Sequence, residues 1–169
     1  MLFRSAFNDT RKFGKVWLTN QPEKFLGKLG PEPLEKDFTS QWLYENLRKR
    51  KRQIKPLLLD QTFLAGVGNI YADESLHIAK VHPQALSNAV TLKQAEALHE
   101  AIVSVLKEGI RRNGASIDWV YRGGEYQNYF RVYDREDEPC MVCGTKIKKI
   151  VLGQRGTHFC PKCQKVERK

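Results

Sequence analysis

Ala65-Gly66-Val67-Gly68-Asn69-Ile70-Tyr71 separates two helix-like stretches with a pair of glycines. Upstream, Pro56 suits a first helical turn, and the pattern continues through Leu57, Leu58, Phe63 and Leu64 until Gly66 stops it. Downstream, Asn69 is placed to cap a helix carrying Asp73 and Glu74 in its first turn, where negative charge suits the helix dipole. The expected unit is helix, double turn, helix. Asn69 beside free N–H groups at a helix start is either a plain cap or a seat for a phosphate.

Outward from this unit the helical period continues. Thr39 is an N-cap for a helix with Trp42, Leu43 and Leu47 on its apolar face. Five consecutive cations, Arg48 to Arg52, follow, and they suit a solvated helix end or a phosphate-facing patch. Thr91 and Gln94 form a capping box, after which Leu92, Ala95, Leu98, Ile102, Val105, Leu106 and Ile110 make a core stripe ending at Asn113-Gly114. Between Ser116 and Tyr133 the period is lost. Phe130 and Val132 there alternate like a short strand, and Arg122-Gly123-Gly124 reads as a loop tip. Gly27 to Pro33 is a linker, and before it Lys15-Val16-Trp17-Leu18 is a lone strand-like stretch. A single strand needs a partner, so its open edge is expected to favour aggregation of an otherwise monomeric chain.

All four cysteines fall in the last thirty residues, as Cys140-x-x-Cys143 and Cys160-x-x-Cys163. Two such knuckles joined by a spacer long enough for a hairpin predict a zinc ribbon, with one structural Zn²⁺ and no open position for catalysis. Lys146 to Leu152 and Thr157 to Cys160 are its expected strands, and Gly153-Gln154-Arg155-Gly156 its turn. His158 reads as an ordinary strand residue beside a complete set of sulfurs. Arg155, flanked by glycine, would stand at the tip of a metal-stiffened hairpin, where a guanidinium can fork onto phosphate oxygens or simply be solvated.

Composition sets the outer limits. The 169 residues carry 29 Lys+Arg against 19 Asp+Glu, a formal charge of +10. That excess attracts polyanions, and nucleic acid is the expected partner. From Cys140 onward there are eight Lys/Arg and one acid, Glu167, so the finger stays positive even with a metal-tetrathiolate charge of about −2 included. At 41% hydrophobic the chain can build a core, which excludes a disordered polycation. It has neither a membrane-length apolar run nor an export signal, and a cytoplasmic protein with reduced cysteines is expected.

These motifs together resemble the bacterial formamidopyrimidine-DNA glycosylase family, relatives of endonuclease VIII. The resemblance rests on Asn8 to Gly14, Leu29 to Leu34, Ile54-Lys55-Pro56, Gly66 to Tyr71, Cys140-x-x-Cys143-Gly144 and Gln154-Arg155-Gly156-Thr157, in that order. It implies that Asn69, in a helix-two-turn-helix, and Arg155, in the zinc finger, grip phosphates flanking a damaged nucleotide turned out of double-stranded DNA, with Lys55 assisting. It also implies that Phe13 wedges into the gap left by the extruded base, that Arg11 faces the orphaned cytosine, and that Ser116 to Tyr126 covers the extruded purine. The stacking lost on flipping, a few kcal/mol, is what an inserted ring partly replaces.

The resemblance implies the following organisation: residues 1–30 as a remnant strand and linker from an N-terminal β-sandwich domain, 31–134 as a mainly α helix-two-turn-helix bundle, and 135–169 as the zinc finger, all associated with the nucleoid through DNA. The family uses an N-terminal proline amine as nucleophile with an adjacent glutamate; here the chain begins Met1-Leu2-Phe3. No catalytic residue is therefore assigned, and this chain is expected to bind damaged or abasic duplex, with oxidised purines (8-oxoguanine, formamidopyrimidine) as the family's lesions, without cleaving it by itself. The alternative is a non-enzymatic zinc-ribbon module that docks on nucleic acid or protein.

Overall fold

A computed structural model describes residues 7, 9, 12–116 and 123–165. Its elements are α1 (Glu23–Leu26), α2 (Ser40–Arg48), α3 (Ile54–Leu58), α4 (Asn69–Ile78), α5 (Leu92–Arg111), β1 (Lys148–Leu152) and β2 (Arg155–Phe159), with 3-10 turns at Ser87–Ala89 and Tyr126–Tyr129. The fold is mainly helical, closed by one β-hairpin. No helix among the described residues is long and apolar enough to cross a membrane.

The predicted caps form. The Trp42 N–H donates to Thr39 Oγ1 at 3.0 Å. Thr91 and Gln94 close their capping box in both directions, the Thr91 N–H donating to Gln94 Oε1 and the Gln94 N–H to Thr91 Oγ1. Each bond satisfies a helix-end donor that would otherwise lack a partner, typically about 1 kcal/mol. α5 packs on α2 and α4. Its stripe enters the main core through Ala95, Leu98 and Ile102, and Val105 is buried beyond them, whereas Leu92 and Ile110 at its two ends are exposed.

Several expectations are corrected. The helix through Pro56 is one short turn, α3, and does not reach Phe63. Asp60 ends it: its carboxylate accepts from the Thr62 N–H and hydroxyl, while its carbonyl takes the N–H groups of Phe63 and Leu64. A short acidic side chain thus competes with the helical ladder, and Phe63 and Leu64 are buried through a turn. Gly68, not Asn69, is the N-cap of α4, and Asp73 and Glu74 lie beyond its first turn, buried. Of the two hinge glycines only Gly66 needs the left-handed region, at φ +77°. Its N–H donates to Gln61 Oε1, and Gln61 Nε2 donates to the Val67 carbonyl, so one side chain fastens the double turn.

Lys15 to Leu18 form no strand. Among the described residues the one sheet is β1 with β2, leaving this stretch without a partner for its backbone, and Val16, Trp17 and Leu18 are exposed. The open strand edge goes with it. Trp17 instead stacks on Phe25, ring centres 5.2 Å apart. Phe130 and Val132 form no strand either; a carboxylate described below holds that segment.

The hairpin is antiparallel with Leu152 opposite Arg155, so its turn is the two residues Gly153 and Gln154, both at positive φ. That pairing of left-handed residues matches the twist of the flanking strands. Arg155 therefore opens β2 and is not part of the turn. A second, small core of Val132, Cys140, Ile147 and Cys160 lies under the hairpin, separate from the helical one.

Candidate nucleic-acid interface and metal centre

The four cysteine sulfurs lie within 4.8 Å of one another. Tetrahedral zinc with bonds of about 2.3 Å requires sulfurs about 3.8 Å apart. Cys140 and Cys163 are 3.9 Å apart and Cys143 and Cys160 3.4 Å, so the set fits that ion as it stands. Hydrogen bonds involving Thr145 hold the Cys143 thiol down to about 6, favouring thiolate. The set leaves no open coordination position, and the role is structural.

The finger is joined to the helical core by α4, through side chains one turn apart on one face. Asn69 Nδ2 donates to the Gly156 carbonyl of β2 at 3.1 Å. Asp73 accepts the His158 N–H at 2.9 Å and lies 2.7 Å from Lys55 Nζ. His77 comes within 3.5 Å of Cys140. Beside this row, Glu74 accepts the N–H groups of Arg131, Val132 and Tyr133, tying the approach to the finger onto the helix. Burial pushes the Glu74 carboxyl up, and those three donors pull it back. Gln164 adds a further tie by accepting from Cys160 N–H and donating to the Val81 carbonyl.

Lys55 is fully buried. Its ammonium reaches Asp73, donates to the Gly156 carbonyl at 2.9 Å and to Thr157 Oγ1 at 2.8 Å. Burial pulls this lysine down and Asp73 pushes it back up. Lys55 and Asn69 thus converge on one carbonyl, that of the residue after Arg155.

A single groove is lined by Arg52, Gln61, Gly68, Asn69, Gly153 and Arg155. A Cβ added at Gly68 would meet nothing within 4 Å, so the start of α4 is open to a ligand that approaches its backbone. Of the cation run, Arg52 faces this groove and pairs with Asp60 at 2.8 Å, while Arg50 lies over the Phe63 ring. Phe13 lies outside the groove, on the N-terminal arm, with 82% of its surface exposed. Arg11, Asn8 and Thr10 lie outside the described residues, as do Met1 to Ser5 and residues 117–122 of the loop expected over the purine. Asp73, Glu74, Gln61 and Gln164 were not singled out as site residues by the sequence. Asn69, Asp73 and His77 do stand at a spacing of four, the visible trace of a polar row, but nothing local names their partners.

Two elements, a helix pair hinged at Gly66 and a hairpin stapled by four cysteines, share one basic groove, and this defines the class of helix-two-turn-helix proteins with a C-terminal zinc finger. The sequence family "Formamidopyrimidine-DNA glycosylase H2TH domain" matches residues 29–120, and "Zinc finger found in FPG and IleRS" matches 137–166. The chain belongs to the formamidopyrimidine-DNA glycosylase family, and its metal is a structural zinc ion. It is 46% identical to the formamidopyrimidine-DNA glycosylase of Pelotomaculum thermopropionicum, over 95% of this chain and 61% of that one. Among solved structures it resembles the Lactococcus lactis Fpg in complex with DNA containing an abasic site, with TM-score 0.81 and 42% identity over 87% of this chain and 56% of that one. The MutM (Fpg) protein of Thermus thermophilus gives TM-score 0.85 and 38% identity, over 95% and 64% of the two chains. The chain spans about three fifths of the length of the curated relatives it matches.

Proposed function

We propose that this chain is the damaged-DNA-binding portion of a base-excision-repair glycosylase/AP lyase acting on oxidised purines, and that it holds duplex DNA beside an altered or missing base. The observation that carries the reading is the shared groove of Asn69 and Arg155, drawn from elements 86 residues apart and tied together at Gly156. Asn69, with one amide hydrogen on Gly156, offers the other together with the open helix start to one phosphate. Arg155 offers its guanidinium to the next. Lys55 assists from beneath as an internal brace. Phe13 as wedge and Arg11 opposite the orphaned cytosine complete the reading on the strength of the family pattern. Duplex binding of this kind places the protein on the nucleoid. The bond-breaking step is assigned to none of these residues.

Fluorescence anisotropy with a tetrahydrofuran-containing duplex, the intact duplex and an RNA of equal length tests this. The abasic analogue is expected to bind most tightly, and Arg155→Ala to lower the salt slope by about one unit. Asn69→Ala weakens intact and damaged duplex alike. Equal binding to all three probes, or unchanged affinity in both variants, favours the docking-module alternative. Borohydride trapping on abasic duplex is expected to yield no adduct with this chain.

A further inference from the structure

His77 is left over by the phosphate-clamp reading. It lies eight residues after Asn69 and four after Asp73 on the same face of α4. Its ring is buried, its Nε2 is 3.5 Å from Cys140 Sγ, and its Nδ1 has no partner. Those three facts decide where the ring proton sits. A proton on Nδ1 would bury a donor with no acceptor and turn the Nε2 lone pair toward an electron-rich sulfur. A proton on Nε2 makes a hydrogen bond to that sulfur and leaves only an unprotonated nitrogen without a partner, the cheaper of the two defects.

We propose that His77 donates its Nε2–H to the metal-bound Cys140 thiolate, acting as a positioning residue that orients this sulfur and fastens the metal to helix α4. A zinc ion with four thiolates keeps a net negative charge on its sulfurs, and each N–H directed at a sulfur disperses part of it. The sulfur becomes a weaker nucleophile and a poorer target for electrophiles, and the metal leaves more slowly. Cys160 receives such a donor from its own knuckle, the Cys163 N–H at 3.4 Å. Cys140 is buried away from water and receives a side chain from another domain. The same helix that carries Asn69 at the groove carries His77 at the metal, so zinc and the phosphate seat sit at two ends of one rigid element. The hydrogen bond depends only on the zinc site and stands or falls independently of what the groove binds.

The test uses the full chain and two variants. His77→Phe keeps a ring and removes the donor; His77→Gln shortens the side chain but retains an N–H at about the Nε2 position. Zinc transfer to a chromophoric chelator and iodoacetamide labelling of Cys140, read by mass spectrometry, are expected to accelerate roughly tenfold in His77→Phe and to stay within about threefold of the parent in His77→Gln. A packing role predicts the opposite order, because Phe fills the site better than Gln, and that order, or parental rates in His77→Phe, overturns the proposal. A measurement on the unmutated protein stands apart from any folding defect. With NMR-active cadmium in place of zinc, the His77 Nε2 proton should show scalar coupling to the metal across the hydrogen bond, and no detectable coupling would refute it.

Discussion

Lys55 Nζ lies 2.7 Å from Asp73 Oδ1, and neither side chain touches solvent. The pair joins α3 to α4 directly beneath the start of β2, and its geometry decides where Arg155 stands: the ammonium also holds the carbonyl of Gly156 and the hydroxyl of Thr157, and the carboxylate also holds the N–H of His158. Two buried charges are tolerable only because their remaining hydrogen-bonding capacity is met by the hairpin.

Removing one partner strands the other. Asp73→Ala is expected to cost about 3–5 kcal/mol in denaturant unfolding. The double variant Lys55→Met with Asp73→Leu should recover much of that loss while lowering duplex affinity, since the tip of the finger is then no longer held. A loss below about 1 kcal/mol for Asp73→Ala would show that the pair is not the anchor.

Glu74 is the second anchor. Glu74→Ala leaves the N–H groups of residues 131 to 133 without this acceptor, the Val132 N–H buried and the other two partly so, with an expected destabilisation on the order of 3 kcal/mol. Amide hydrogen exchange should speed up first at Val132 and Tyr133. Uniform acceleration across α5 instead would mean that Glu74 supports the whole bundle and not this segment.

Zinc removal separates the two cores. A chelator should abolish the amide dispersion of β1 and β2, because the hairpin has only a four-residue core of its own, while the helical far-UV signal persists. Duplex binding should fall with the hairpin. Loss of the helical signal at the same chelator concentration would contradict independent cores.

Asp60 supplies a pH dependence. Hydrogen bonds from Arg52 and Thr62 hold its carboxyl down to about 2, whereas an unfolded aspartate titrates near 4. Its contribution is present in full above about pH 4 and is lost as pH falls toward about 2, reduced in size because Arg52 is half exposed. The stability gap between the parent and Asp60→Asn should therefore be larger at about pH 6 than at about pH 3. An equal gap at both values would exclude this origin.

What local chemistry encodes was legible. Thr39 and Thr91 cap the helices they precede, Thr91 together with Gln94 in the first turn, because a cap needs only residues within one turn. The spacing of Cys140, Cys143, Cys160 and Cys163 implied one closed metal site, because four thiolates converge only where a cation holds them. Errors arose where a residue had two local uses. Lys15 to Leu18 has strand composition and no partner, and Asp60 took over backbone groups that the apolar pattern through Phe63 and Leu64 would have given to a helix.

By itself, then, the sequence determined the helix pair, the stapled hairpin, the basic balance and the family pattern carrying Asn69 and Arg155. Only the tertiary structure decided that Lys55 is buried beneath the finger, that Asp73 and Glu74 are buried ties to the finger and its approach and not a helix's acidic start, and that His77 lies against Cys140. The physical reason is separation along the chain: their partners on the finger and its approach stand 57 to 102 residues away. The cost of burying each of these polar groups can be judged only once folding has brought its partner within hydrogen-bonding distance.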